Sequence, residues 1–199
     1  MRAPLLSNSI IPDEEFIKNP DVPGPTKEEV RCLVMCKSGV STKDTVVDIG
    51  CGTGGLTVEF ARRARMVYAI DQNPEALRIT KLNLEKHKAM DATELIEGTA
   101  PEVLEQMPDF DILMVGGSSG ELPSILQKGY QKLKSGGRMV VTSILLETRV
   151  QATRAMLDLG LVPDVTEISI SKGQIMERGT MMKARNPVTI VTATKRKIN

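Results

Sequence analysis

Eight consecutive residues, Asp48-Ile49-Gly50-Cys51-Gly52-Thr53-Gly54-Gly55, carry the densest chemical signal in the chain. Glycines at this spacing let the backbone turn tightly and approach a ligand where a Cβ would collide. A helix N-terminus directly after such a turn favours an anionic group, either a pyrophosphate or an amino-acid carboxylate. The spacing alone leaves two ligands open. Gly50, Gly52 and Gly55 satisfy the G-x-G-x-x-G of a dinucleotide site. Asp48, Gly50, Gly52 and Gly54 satisfy a D-x-G-x-G-x-G suited to the methyl donor S-adenosylmethionine. Asp71, at the end of the next apolar run, is placed to accept the ribose hydroxyls of either. Asp48 separates the two: it could accept from a cationic amine through the loop, whereas a pyrophosphate has no use for a carboxylate there. A bare strand–helix turn without a ligand would not need four glycines within six residues and an acidic residue at the next strand end.

Other reactive residues are sparse. Cys32 and Cys36 lie four apart on an expected helix and Cys51 lies within the glycine turn. A metal site would need further ligands, and the only histidine is His87, so no metal is expected and the thiols read as buried small hydrophobes. One histidine also leaves little room for a histidine-based nucleophilic triad. Glu147, expected where the fifth strand ends, is a candidate acid/base or substrate-orienting group, though an ordinary first-turn helix glutamate accounts for it equally. The segment 171–186 combines Lys172, Arg178, Lys183 and Arg185 with Ile175, Met176, Met181 and Met182. That mixture suits a flat, carboxylate-bearing ligand, and it also suits an exposed hairpin whose methionines pack at a subunit interface.

The elements that must position these residues alternate. Residues 1–25 hold five prolines and read as irregular; a helix follows from Thr26, with Thr26 and Glu29 as a capping box and Ser38-Gly39 as its stop. Thr45–Ile49 is a short β-branched strand, and Thr53–Ala64 a helix burying Leu56, Val58, Phe60 and Ala61. Met66–Ile70 is the next strand; Asn73 caps the helix after it, with Pro74 at its first position. Thr93–Ile96 and Asp111–Val115 are strands three and four, and Glu121–Leu133 is helical. Ser135-Gly136-Gly137 turns into the strand Arg138–Leu145, and Glu147–Leu159 is the last helix. Val162–Ile170 and Pro187–Thr194 are two strands with no helix between them. The expected fold is α/β: a Rossmann-like, seven-stranded, mostly parallel sheet with one antiparallel edge strand, in one domain over 1–199, with the core at 26–194 and a basic tail at 195–199.

Composition narrows the function classes. Lys plus Arg is 26 against 25 for Asp plus Glu, a formal net charge of +1, which gives no global pull toward nucleic acid. An RNA methyltransferase on this fold would show a basic groove or stacking aromatics; aromatics are 3% and tryptophan is absent. No apolar run approaches bilayer length, and the broken apolar start is no secretory signal, so a cytoplasmic protein without membrane partners is expected. A non-catalytic cofactor binder stays open at this point.

Further segments are more specific than the turn. Ile11-Pro12-Asp13-Glu14-Glu15-Phe16, Val22 through Arg31, Val46 through Gly55, Val67-Tyr68-Ala69-Ile70-Asp71, Gly116-Gly117-Ser118, Ile144-Leu145-Leu146-Glu147 and Arg178-Gly179-Thr180-Met181-Met182 resemble the CbiT family. These are cobalt-precorrin C15-methyltransferases (decarboxylating) of anaerobic cobalamin biosynthesis, and the resemblance spans about residues 10–194. It implies a class I S-adenosylmethionine-dependent methyltransferase that methylates C15 of a cobalt-precorrin of the 6B type and releases carbon dioxide from the ring C acetate. It also implies a homotetramer and a tetrapyrrole as the partner. The family's cofactor contacts fall on Thr26, Gly50, Cys51, Gly52, Thr53, Gly54, Asp71 and Ala100. Where the family commonly has Gly-Asp-Ala, this chain has Gly98-Thr99-Ala100, so residue 99 brings no carboxylate to the adenine amino group. With a conjugated macrocycle as electron sink, no Ser, Cys or His nucleophile is expected. Gly117, Ser118, Arg178 and Lys183 are the expected substrate contacts.

Overall fold

Thr45–Ile49 (β1) is buried along its whole length, Asp48 included, because β-branched residues on both of its faces suit a central strand covered on each side. It pairs in parallel with Met66–Asp71 (β2) on one side and Phe110–Val115 (β4) on the other. Thr93–Glu97 (β3) extends the sheet beyond β2, and Leu133–Ser143 (β5) extends it beyond β4. Val188–Thr194 (β9) runs antiparallel to β5 and carries Asp164–Ile168 (β6) on its far side, so the order is β3-β2-β1-β4-β5-β9-β6. This is the expected seven-stranded, mostly parallel α/β sheet with a single reversed strand near one edge. The computed structural model describes residues 9–196, so the readings of residues 1–8 and of the tail from Lys197 onward lie outside the described residues.

Alternation along each strand divides the core in two. Val46, Ile112, Met114 and Val140 face Glu28–Ser38 (α1), Gly55–Ala61 (α2) and Pro74–Lys86 (α3). Val47, Ile49, Leu113, Val115 and Val141 face Leu122–Lys132 (α4) and Leu146–Asp158 (α5). Each fully buried aliphatic side chain contributes about 1.5–3 kcal/mol relative to exposure. Asn73 caps α3 by accepting from the Glu75 N–H at 2.9 Å, as expected, with Pro74 opening the helix. Among the described residues, no helix is long and apolar enough to cross a membrane.

Several expectations need correction. The Thr26–Glu29 capping box does not form: α1 starts at Glu28, and the Glu28 N–H is taken by Asp13 Oδ1 at 2.8 Å. Fully buried Arg31 explains this, since it donates to Asp13 Oδ1 at 2.9 Å and to the carbonyls of Thr26 and Ile11, holding Thr26 in the preceding segment. Glu59, also fully buried, accepts from the Ile11 N–H at 2.8 Å and from Arg63 at 2.7 Å. The proline-rich segment is therefore fixed onto α1 and α2 by buried charge, with Ile11, Phe16 and Val22 packed beneath it. Cys32 and Cys36 are exposed, because Val30, Val34 and Met35 take the inward face of α1; Cys51 alone is buried.

Helix α2 is shorter than expected at both ends: Gly54 in the left-handed region (φ 80°) cannot belong to it, and it stops at Ala61 and not at Ala64. Ser135-Gly136-Gly137 lies inside β5 as an irregularity, absorbed where Phe110 pairs with Leu133 but Ile112 pairs with Arg138. β5 stops at Ser143, so Glu147 belongs to the first turn of α5 and not to a strand end. Residues 171–186 are no loose connection: Ser171–Met176 (β7) and Gly179–Ala184 (β8) form their own two-stranded antiparallel sheet.

Candidate active site

The glycine turn is held from three directions. The Gly50 and Cys51 N–H groups donate to the Ile70 carbonyl at 2.9 and 3.2 Å, tying the turn to the end of β2. Helix α3 latches it from behind: Thr80 Oγ1 donates to the Gly52 carbonyl at 2.9 Å and Asn83 Nδ2 to that of Thr53 at 2.8 Å. On the third side, Gly50 (φ +70°) lies so close to the loop after β4 that a Cβ would come within 2.6 Å of the Gly117 nitrogen. A side chain there is excluded by both conformation and space.

Asp71 Oδ2 accepts from the Gly52 N–H at 2.9 Å and Oδ1 from the Asn73 N–H at 3.0 Å. One carboxylate thus fixes the glycine turn and the start of α3 while facing the space between them. Asp48 lies behind the turn, 1% exposed, and accepts from Thr57 Oγ1 at 2.6 Å. Burial pushes its carboxyl up to about 6, the nearby Asp71 charge adds to this, and the Thr57 bond opposes it. Asp48 does not reach the cavity; it anchors α2 to β1. Burial, with the Asp48 and Asp71 charges, also pushes the Cys51 thiol up, leaving it a neutral thiol 3.8 Å from Thr80 Oγ1.

At the carboxyl ends of β1, β2 and β4 lies a cavity of about 560 Å³. The structure brings Gly50, Gly52, Asp71, Ala100, Gly117 and Ser118 together on its wall. Cys51, Thr53 and Gly54 form the buried back of the turn, and Thr26 lies behind Gly55, so none of these four lines it. Three carboxylates border the cavity, those of Asp71, Glu102 and Glu121, and among the described residues no lysine, arginine or histidine does.

Gly116 through Ser119 form a wall shared with a second cavity of about 390 Å³ at the ends of β4 and β5. Its remaining polar groups are Thr142, Ser143, Thr148 and Gln151, and among the described residues no ionisable side chain lines it. Glu147 is exposed and lines neither cavity, although Thr148, the next residue, lines the second. Arg178 and Lys183 are exposed on the β7–β8 hairpin and are brought to neither cavity. Sequence reasoning missed Thr80 and Asn83, yet two polar residues on the apolar face of α3 were a legible signal. It also missed Glu102, Glu121, Thr148 and Gln151, which no local pattern marks.

The chain matches the precorrin methyltransferase domain over residues 24–195. It belongs to the precorrin methyltransferase family. A relative from Methanothermobacter thermautotrophicus, named "Probable cobalt-precorrin-6B C(15)-methyltransferase (decarboxylating)", is 54% identical over 92% of this chain and 95% of its own. A solved structure described as precorrin 8W decarboxylase, from Methanobacterium thermoautotrophicum, superposes with a TM-score of 0.90 at 54% identity, covering 92% of this chain and 98% of that one. The precorrin-6y C5,15-methyltransferase of Geobacter metallireducens superposes with a TM-score of 0.87 at 31% identity, over 94% of this chain and 98% of that one. The chain is thus an enzyme of a methyltransferase family, and its fold is one that S-adenosylmethionine-dependent methyltransferases share.

Proposed function

We propose that this chain methylates C15 of a cobalt-precorrin of the 6B type from S-adenosylmethionine, with loss of carbon dioxide from the ring C acetate, as a step of cobalamin biosynthesis. The observation that carries the cofactor assignment is the first cavity: carboxylates at Asp71, Glu102 and Glu121 with no bordering cation among the described residues. Such a lining favours a ligand bearing a sulfonium and an ammonium, and repels the pyrophosphate of a dinucleotide. Its volume falls within the range of about 300–1,000 Å³ usual for small-ligand sites. The methyl donor, when bound, supplies an electrophilic methyl group on sulfur.

Gly50, Gly52, Asp71 and Ala100 hold the donor, while Cys51, Thr53 and Gly54 shape the turn behind them and Thr26 supports the adjoining wall. The second cavity receives the acceptor, because it shares Gly116–Ser119 with the first and adjoins it at the strand ends. Its uncharged lining supplies shape and hydrogen bonds but no base, in keeping with a macrocycle that provides its own electron pair. Gly117 and Ser118 stand between donor and acceptor. Glu147, beside Thr148, is the candidate orienting acid at the rim; Arg178 and Lys183 are candidate partners for peripheral acceptor carboxylates. We assign the enzyme to the cytoplasm as a homotetramer.

The test is to incubate the full chain with S-adenosylmethionine and cobalt-precorrin-6B, measuring S-adenosylhomocysteine and carbon dioxide together. Both should appear in equal amounts. A chain that binds the cofactor yet forms neither product would reject this acceptor.

A further inference from the structure

The wall formed by residues 98–102 differs in character from the glycine turn opposite. The Gly98 N–H donates to the Asp71 carbonyl at 3.1 Å, so this wall starts beside the carboxylate that ends β2 and runs away from the turn. Ala100 and Pro101 give it an apolar face, and Ile125 is a further apolar residue of the lining. Its polar edge is a single pair: Thr99 Oγ1 donates to Glu102 Oε2 at 3.1 Å. The other carboxylate oxygen, Oε1, has no hydrogen-bond donor among the described residues. Apolar faces with an acceptor-only edge suit a flat heteroaromatic ring that carries an amino group.

The geometry points to Glu102, oriented by Thr99, as the acceptor for the exocyclic amino group of the cofactor's purine, and so as the residue that selects a 6-aminopurine over a 6-oxopurine. This rests on the S-adenosylmethionine reading of the cavity given above. With the ribose at Asp71, the base falls along residues 98–102, since the two are joined through Gly98. An ionised carboxylate offers lone pairs alone, so it attracts an amino group and opposes the carbonyl oxygen of hypoxanthine. Thr99 aims that carboxylate by spending its hydroxyl proton on Oε2.

A purely local role has a distinct signature. The Val103 N–H donates to the Thr99 carbonyl at 3.1 Å, and Glu102 opens the 3-10 turn Glu102–Gln106, so the pair also fits a turn cap. A turn cap is indifferent to the 6-position of a ligand. The experiment therefore measures two ligands, S-adenosylhomocysteine and S-inosylhomocysteine, by calorimetry against the full chain and its Glu102→Gln variant. Glutamine keeps the size and an acceptor for Thr99 but adds an N–H donor. The wild-type chain should prefer the adenosyl ligand by about tenfold, a modest ratio because the pair is exposed, and the variant should bring the two ligands within about threefold. Its thermal midpoint should stay within about 2 °C, since exposed substitutions of this kind are nearly neutral. Equal weakening of both ligands, or an unchanged ratio, overturns the role of Glu102 alone. Failure of the wild-type chain to bind either ligand overturns the cofactor reading along with it.

Discussion

The two cavities meet at Gly116–Ser119 but are made of different materials. The first is shaped by backbone: Gly50 packs against Gly117 without room for a Cβ, and its charges are all carboxylates. The second is shaped by side chains of β5 and α5, and among the described residues no ionisable side chain lines it. On the proposed function, the first takes a small cationic ligand whose features are fixed across many enzymes, and the second takes an acceptor that brings its own charge and its own electrons. The contrast explains why one cavity could be anticipated from a short motif and the other could not.

That contrast breaks most severely at Gly50. Gly50→Ala would place a Cβ 2.6 Å from the Gly117 nitrogen at φ +70°. It is expected to cost about 2–4 kcal/mol of stability and at least about 100-fold in S-adenosylhomocysteine affinity, as the turn is forced away from its ligand. Urea unfolding and calorimetry measure the two effects. Retained affinity would mean that the backbone contact does not shape the first cavity.

A second test uses pH. Asp48 titrates at about 6 in the folded chain and at about 3.9 when unfolded. The fold therefore favours its protonated form: full stability is present below about pH 4, is lost as the pH rises toward 6, and stays lost above that. The wild-type chain should lose about 3 kcal/mol relative to Asp48→Asn across this interval, read from urea midpoints at a series of pH values. A constant difference would remove the buried carboxyl from the account. The second cavity offers no counterpart, since among the described residues no ionisable side chain lines it.

The smallest effect on the cofactor should come from Thr148→Lys, which puts a cation into the neutral cavity. S-adenosylhomocysteine affinity should change less than about twofold, because Thr148 lines only the second cavity. Methyl transfer to cobalt-precorrin-6B should fall about tenfold or more, from lost shape and altered charge at the acceptor. If affinity for the cofactor product falls in step with turnover, the two cavities act as one site and the comparison fails.

Legibility followed the range of the interactions. Strands β1, β2 and β4, the glycine turn and the Asn73 cap were readable because each depends on a few adjacent residues. The Thr26–Glu29 box was readable too, and was overridden: Asp13 supplies the cap across the chain because buried Arg31 draws Thr26 and Asp13 together. The thiols of Cys32 and Cys36 looked like core residues by type, but the direction in which α1 packs leaves them exposed. The hairpin β7–β8 carried its cations and methionines in plain view, yet only its placement shows that Arg178 and Lys183 line neither cavity.

The sequence by itself determined the α/β alternation, the turn at Asp48–Gly55, the acidic strand end at Asp71 and, through the resemblance, the family. These are local patterns, set by backbone freedom at glycine and by the periodicity of apolar residues. Tertiary structure decided that Thr80 and Asn83 latch the turn, that Asp48 faces Thr57 and not the cavity, and that Thr99 and Glu102 stand together at its edge. It also decided that Thr142, Ser143, Thr148 and Gln151 converge on one uncharged space. Such groupings arise from how distant elements pack across the sheet, and a side chain's surroundings exist only once that packing is complete.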